Sequence, residues 1–210
     1  MNIKIIFKKN AVPLSVVFAL LLAFGGWEIC KYQVVPKRWG IVAHDKIFRS
    51  GRIAPRLIRK TLRKHGIKVI VDLTEPDPRK SSWRAEQKST EELGISRYNF
   101  QLFGDGTGNI TNYANAIFAI EQARKENKPV LVHCAAGVQR TGGVMASYRL
   151  LVEKQPPATA YAELTRYGWK SRDNPILLDY LNNHMNELAT LLEEMKVIAR
   201  APGPAPQVAP

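Results

Sequence analysis

The chain has 210 residues, carries 31 basic and 18 acidic side chains, and has a net charge of +13. This length suits one compact domain with a terminal extension, and the 45% hydrophobic content excludes a disordered or fibrous chain. Only two cysteines occur, Cys30 and Cys134, which excludes a disulfide framework. The four histidines lack the spacing of metal ligands, so we expect no metal centre and no other cofactor. The positive charge favours anionic partners, but no basic stripe with interleaved aromatic residues indicates nucleic-acid binding.

The N-terminus has the pattern of a membrane-targeting segment. Lysines precede an uncharged apolar run over residues 10–27 that is just long enough to span a bilayer. We therefore predict a signal anchor or signal peptide over residues 1–30, favouring an uncleaved single-pass anchor over cleavage and over a buried helix. Lysines before the run place the following domain on the non-cytoplasmic side, although Lys31, Lys37 and Arg38 on the other flank weaken this argument.

The remaining chain divides into a tether over residues 31–45, one domain over residues 46–198 and a disordered Pro/Ala tail over residues 199–210. Apolar periodicity and turn residues predict helices over 56–65, 82–93, 111–128, 140–154, 157–167 and 175–198. Strands are predicted over 67–73, 95–102 and 130–132. Alternating strands and helices predict an α/β fold with a mostly parallel central sheet flanked by helices.

The segment after the strand at 130–132 carries the chemistry. Cys134 and Arg140 stand six positions apart in a loop that enters a helix, where unpaired backbone N–H groups bind anions. The same setting lowers the pKa of a cysteine, and an arginine can donate two hydrogen bonds to one phosphate. The loop therefore combines a nucleophile, an anion cradle and a cationic clamp.

These residues resemble a known family. His133-Cys134, five intervening residues and Arg140-Thr141-Gly142 are similar to the signature of cysteine-dependent phosphatases of the protein-tyrosine and dual-specificity type. Residues 47–51 and 66–73 resemble the opening of the compact bacterial and atypical dual-specificity members. The resemblance covers about residues 46–169 and implies the phosphatase fold.

The resemblance also implies roles for the site residues. Cys134 would form a phosphocysteine, Arg140 would hold the phosphate oxygens, and Thr141 would hydrogen-bond the sulfur. The implied phosphate-binding loop comprises His133, Ala135, Ala136, Gly137, Val138, Gln139 and Arg140.

The expected proton donor is a carboxylate on a mobile loop. Asp105 is the candidate, because it lies 29 residues before Cys134 in a glycine-flanked segment that is able to close. The alternative role for Asp105 is turn formation alone. Asp72, in a predicted strand, and Glu75 and Asp77, in the next loop, are weaker candidates.

The substrate class stays open at this point. The loop side chains between Cys134 and Arg140 carry no charge, which disfavours a polyphosphorylated substrate. We expect a membrane-anchored protein-tyrosine or dual-specificity phosphatase. A phospholipid headgroup phosphatase is the second hypothesis, supported by the membrane segment and by basic residues such as Arg56, Arg59 and Lys60. A phosphate-binding adaptor without turnover and a sulfur-transfer enzyme are more remote alternatives.

Overall fold

A computed structural model describes residues 15–18, 24–25, 27, 30–43, 46–200 and 203–210. A short 3-10 turn at Lys31–Gln33 precedes the regular elements. The strands are β1 (Gly40–Ala43), β2 (Ile47–Gly51), β3 (Val69–Asp72), β4 (Ser96–Asn99) and β5 (Val130–Cys134). The helices are α1 (Pro55–Lys64), α2 (Ser81–Leu93), α3 (Ile110–Lys125), α4 (Gln139–Leu151), α5 (Pro157–Arg166) and α6 (Ile176–Glu194).

The five strands form one mixed sheet in the order β1-β2-β5-β3-β4. The pairs β2–β5, β5–β3 and β3–β4 are parallel, whereas β1 runs antiparallel to β2 at the edge. The α/β prediction with a mostly parallel sheet is therefore confirmed. Because the parallel strands share a direction, the carboxyl ends of β2, β3 and β5 meet at one edge of the sheet.

The centre of the sheet is buried on both faces, which explains why β5 begins with three consecutive apolar residues, Val130 to Val132, rather than an alternating pattern. Val130 and Val132 point to a core built mainly from α3, α4 and α6. Leu131 points to the opposite, smaller core, where Ile58 and Leu62 of α1 cover the sheet. Helices on both faces thus hold β5 at the centre of the fold.

The predicted tether over residues 31–45 ends in a strand. Gly40 and Ile41 of β1 pair with Arg49 and Phe48 of β2, and Gly51 N donates a hydrogen bond to Lys37 O at 2.7 Å. Four residues are too few to show a strand period in the sequence, so only the pairing with β2 reveals the element. The folded unit therefore begins before residue 46.

The C-terminal segment differs from the predicted disordered tail. Asn182 on α6 donates to Val208 O at 3.1 Å and accepts from Val208 N at 2.8 Å, and the Val208 side chain is buried. Asn186 accepts from Ala205 N at 2.7 Å. The side-chain amides of the two asparagines supply hydrogen-bond partners that the Pro-rich backbone does not find within its own segment. Residues 203–210 therefore lie against α6.

Most of the predicted membrane segment over residues 1–30 lies outside the described residues. Within the described part of the chain, no helix has both the length and the apolar character needed to cross a bilayer. The predicted N-terminal membrane helix thus gains no support from the structure.

Candidate active site

The Cys134 loop lies at the carboxyl edge of the sheet. Cys134 is the last residue of β5, two residues beyond the strand predicted over 130–132, and α4 begins at Gln139, one residue before the predicted start. β2 and β3 flank β5 and end at the same edge. This is the position at which open α/β sheets bind ligands.

The Cys134 thiol is buried and its pKa is lowered. Burial is the largest single influence and by itself raises the pKa. It is outweighed by the Thr141 hydroxyl, the positive charge of Arg140, and the backbone N–H groups of Thr141 and Gly137. The Gly137 N–H lies 3.1 Å from the sulfur. The site therefore favours the thiolate, which is the nucleophilic form.

Arg140 and Thr141 lie in the first turn of α4 with unused hydrogen-bonding groups. Arg140 is half-buried, and its Nε has no partner among the described residues. The buried Thr141 hydroxyl makes no hydrogen bond of good geometry in the described part of the chain, so it is available to the neighbouring sulfur. Buried polar groups are normally paired, and Arg140 Nε is therefore in place for a bound group.

The loop carbonyls are fixed from behind by three arginine residues. The bonds are Arg52 N to Ala135 O (3.1 Å), Arg38 Nη1 to Ala136 O (2.9 Å) and Arg49 Nη2 to Gly137 O (2.7 Å). Because a peptide unit is planar and trans, a carbonyl held outwards turns the next N–H to the opposite side. The N–H groups after these carbonyls thus face the interior of the loop, where they form an anion-binding concavity.

Arg49 is the most deeply buried of these three arginines. It is completely buried in β2, pairs with Glu163 of α5 and stacks on the Tyr167 ring at 3.7 Å. Glu163 also accepts from Arg149 Nε at 2.7 Å. Burial lowers the pKa of Arg49, and Glu163 opposes that effect. In the sequence, Arg49 stands within the stretch 47–51 that resembles the phosphatase family, and its signal is a charged residue directly after two apolar residues.

Two glycines allow the loop to approach β2. A Cβ atom on Gly51 would lie 2.8 Å from Ala136 O. Gly137 has a φ of +75°, and a Cβ there would lie 2.5 Å from Gly51 N. Both contacts are shorter than carbon packing allows, so the two positions require glycine.

His133 belongs to a buried charge network behind the loop. Its Nε2 lies 3.1 Å from Glu86 Oε2, its Nδ1 lies 3.9 Å from Asp72 Oδ1, and Arg97 bridges both carboxylates. Burial lowers the pKa of His133, but Glu86 and Asp72 outweigh it and raise the pKa to about 9. The pKa of Glu86 is lowered by His133 and Arg97 against the effect of burial. His133 is therefore an imidazolium at neutral pH.

The same network has the donor types of a metal site. Ligand atoms of Asp72, Glu86 and His133 lie within 4.8 Å of one another. However, the Arg97 guanidinium lies 2.6 Å from Asp72 Oδ2 and 3.0 Å from Glu86 Oε1, where a cation would bind. Arg97 and His133 already neutralise the two carboxylates, so this donor set does not suit a metal ion.

The loop that carries Asp105 packs against the start of α4. A Cβ on the next residue, Gly106, would lie 2.7 Å from Leu177 Cδ1 and 3.2 Å from Gln139 C. Asp105 Oδ1 accepts from Thr107 N and Oγ1, both at 2.9 Å, which is the turn-forming geometry. Asp105 Oδ2 makes no hydrogen bond among the described residues.

Three hydrogen bonds hold the loop that carries Asp105 in this structure, and its closure over a substrate stays a prediction. Asn174 donates to Asp105 O at 2.9 Å, Tyr180 donates to Gly108 O at 2.8 Å, and Tyr113 donates to Gly106 O. Asn174, which lies just before α6, is thus an anchor of this loop. The anchors come from α3 and from the α6 region, which no local sequence signal links to residue 105.

The other carboxylate candidates are less suited to donate a proton. Asp72 is buried and accepts from Thr74 N at 2.9 Å and from Arg97 at 2.6 Å. Asp77 is hydrogen-bonded by Arg79, which lowers its pKa to about 2. The Asp77 carboxyl group, which is held ionised in this way, has no proton to give near neutral pH.

Comparison with known families agrees with this geometry. Residues 53–191 match the family model described as the dual specificity phosphatase catalytic domain. The chain belongs to this family. Its catalytic domain is of the cysteine-dependent phosphatase type, and the resemblance found in the sequence is confirmed.

Relatives and solved structures extend the comparison. The bovine protein tyrosine phosphatase domain-containing protein 1 is 31% identical over 155 residues, 62% of this chain, but the match spans only 19% of that protein. A vaccinia virus dual specificity phosphatase, OPG106, is 34% identical over 68 residues, 32% of this chain and 40% of that protein. The fold matches P. aeruginosa TpbA (TM-score 0.56, 19% identity, 70% of this chain and 86% of that one) and S. cerevisiae SIW14 (0.60, 18%, 78% and 96%).

Replacing Arg49 with lysine tests the support of the loop. A single ammonium cannot serve Glu163 and Gly137 O together, so we expect a free energy of unfolding lower by about 1–3 kcal/mol. Since the loop carbonyl is released, kcat/KM for an aryl phosphate should fall by about 10- to 100-fold. Urea titration and steady-state kinetics measure both effects. Arg166→Lys, at an exposed position of α5, is the matched control; equal behaviour of the two variants contradicts the assigned role.

The His133–Glu86 pair predicts a pH dependence of stability. The folded pKa of His133, about 9, exceeds its ordinary value of 6.5, so the folded state retains a proton that the unfolded state loses. The stabilisation is complete below about pH 6.5 and is lost as pH rises towards 9, at up to about 1.4 kcal/mol per pH unit.

Urea unfolding between pH 6 and 9.5, in a Cys134→Ser background that removes the thiol titration, measures this loss. Glu86→Gln should flatten the profile, whereas Glu91→Gln, at an exposed position of the same helix, should preserve it. A Glu86→Gln profile as steep as that of the parent would disprove the coupling.

Proposed function

We propose that this phosphatase hydrolyses single phosphomonoesters on proteins, with phosphotyrosine or dual specificity as its substrate class. The observation that carries the proposal is the charge of the loop. Ala135, Ala136, Val138 and Gln139 are uncharged, and the nearby guanidinium groups of Arg38 and Arg49 are directed at loop carbonyls. One cationic clamp, Arg140, therefore serves one bound phosphate.

Cys134 acts as the nucleophile in this proposal. Its thiolate attacks phosphorus in line, so that an S–P bond forms while the bond from phosphorus to the leaving oxygen breaks. The inward N–H groups and Arg140 hold the equatorial oxygens as charge develops on them. Thr141 lies beside the sulfur and stabilises its negative charge when the S–P bond later breaks.

Asp105 supplies the proton to the leaving oxygen in this proposal. Its loop lies against Gln139 at the end of the phosphate loop, and its Oδ2 is uncommitted. After the first product leaves, the same carboxylate accepts a proton from the water that attacks the phosphocysteine, and inorganic phosphate is released.

A phospholipid headgroup phosphatase is the second candidate. It is favoured by five basic side chains on α1, Arg56, Arg59, Lys60, Arg63 and Lys64. The solved neighbours include P. aeruginosa TpbA in complex with phosphotyrosine and the catalytic core of the PP-IP phosphatase SIW14 of S. cerevisiae. At 18% identity each supports the fold alone. The apolar run over residues 10–27 supports a single-pass membrane anchor, and the lysines before it favour a catalytic domain on the non-cytoplasmic side.

A substrate panel tests the proposal. The full-length chain in detergent should hydrolyse phosphotyrosine peptides with a kcat/KM at least 10-fold above that for phosphatidylglycerophosphate or phosphoinositides in mixed micelles, measured as released phosphate. Cys134→Ser and Arg140→Lys should each remove at least 99% of turnover. Higher activity on the lipids would favour the second candidate, and no turnover with tight phosphopeptide binding would indicate an adaptor.

Asp105→Asn tests the proton donor. Asparagine preserves the turn with Thr107 but carries no proton, so kcat should fall about 100-fold for an alkyl phosphate and little for an aryl phosphate with a good leaving group. Leaving-group series for the variant and for Asp173→Asn, at an exposed aspartate, measure the difference. An equal loss across the series would exclude Asp105 as the general acid.

A further inference from the structure

One face of α1 carries a continuous basic stripe. Arg56, Arg59, Lys60, Arg63 and Lys64 follow the i, i+3, i+4, i+7, i+8 spacing of one helix face and line one open depression of about 660 Å³. We call this set the α1 basic face. The opposite face of the helix, with Ile58 and Leu62, is buried against the sheet, so the basic side chains point towards solvent.

The α1 basic face is poorly neutralised. Arg59 lies 3.1 Å from Glu92 of α2, and within the described ranges it is the only one of the five side chains with a carboxylate partner. Unpaired cations at helical spacing create a positive potential along the helix. Such a surface attracts a partner that presents many negative charges over an area.

The segment that enters the domain lies beside this face. Arg56 donates a hydrogen bond to Gln33 O in the 3-10 turn at Lys31–Gln33. The next two side chains, Val34 and Val35, are 53% and 44% exposed. Basic and apolar side chains therefore share one surface, at the point where the chain arrives from the apolar run over residues 10–27.

We propose that the α1 basic face, together with Val34 and Val35, docks on an anionic lipid bilayer. Basic side chains that contact anionic headgroups, beside apolar side chains that enter the interface, are the physical requirements for such a surface. A nucleic acid fits less well, because no aromatic residue interrupts the stripe to stack on bases. The proposal does not depend on which substrate the Cys134 site hydrolyses.

Lysine footprinting of the full-length chain tests the docking. The protein is reconstituted into vesicles of phosphatidylcholine alone, or with 30% phosphatidylglycerol, and exposed lysines are acylated with a water-soluble reagent and quantified by mass spectrometry. Lys60 and Lys64 should react at least fivefold more slowly in the anionic vesicles. The protection should disappear at about 1 M salt, where the Debye length falls to about 3 Å. Lys125, at the end of α3 on the other side of the sheet, should react equally in both.

Charge reversal provides the second arm. Arg56→Glu/Arg63→Glu should restore the labelling of Lys60, whereas Lys154→Glu/Lys196→Glu makes the same change in net charge at exposed positions elsewhere and should leave the protection intact. Unchanged turnover of a soluble aryl phosphate confirms that both variants fold. Equal labelling of Lys60 and Lys64 in the two vesicle types overturns the proposal. Protection by a short RNA in neutral vesicles that matches the effect of phosphatidylglycerol also overturns it, in favour of a nucleic-acid surface.

Discussion

The outward orientation of three loop carbonyls is the constraint on which the site depends. A free loop would average its peptide dipoles, whereas here Arg38, Arg49 and the backbone of Arg52 each hold one carbonyl. The N–H groups that follow are turned inwards before any ligand binds, so the cost of ordering them is met during folding rather than in each turnover. Gly51 and Gly137 make this possible, since only glycine lets the loop lie so close to β2.

Charge is balanced separately on the two sides of the loop. In front, the buried thiolate of Cys134 is stabilised by Arg140, Thr141 and loop N–H groups. Behind, Asp72 and Glu86 would repel that thiolate if they were unpaired in a low-dielectric interior. The His133 imidazolium and Arg97 neutralise them there. The ion pairs that raise the pKa of His133 therefore also prevent the two carboxylates from raising the pKa of the neighbouring Cys134.

The sequence predicts what depends on local pattern. The strand, loop and helix around Cys134 follow from a β-branched run, small residues and helical spacing, and the mostly parallel sheet follows from the order of elements. Contacts between residues that are far apart in the sequence leave no such local pattern. β1 is too short to have a period, Arg49 meets Glu163 across 114 positions, and the segment ending at Val208 is ordered by amides on α6. Composition alone predicts disorder at Val208, and it is wrong there.

The anchoring of the Asp105 loop makes α6 part of the proposed catalytic apparatus. Tyr180 of α6 holds Gly108 O and Asn174, just before this helix, holds Asp105 O, so the position of the carboxylate depends on how α6 packs. The same helix holds the C-terminal segment through Asn182. A mobile loop would have to be ordered each time a substrate binds, whereas this loop is already in contact with α4.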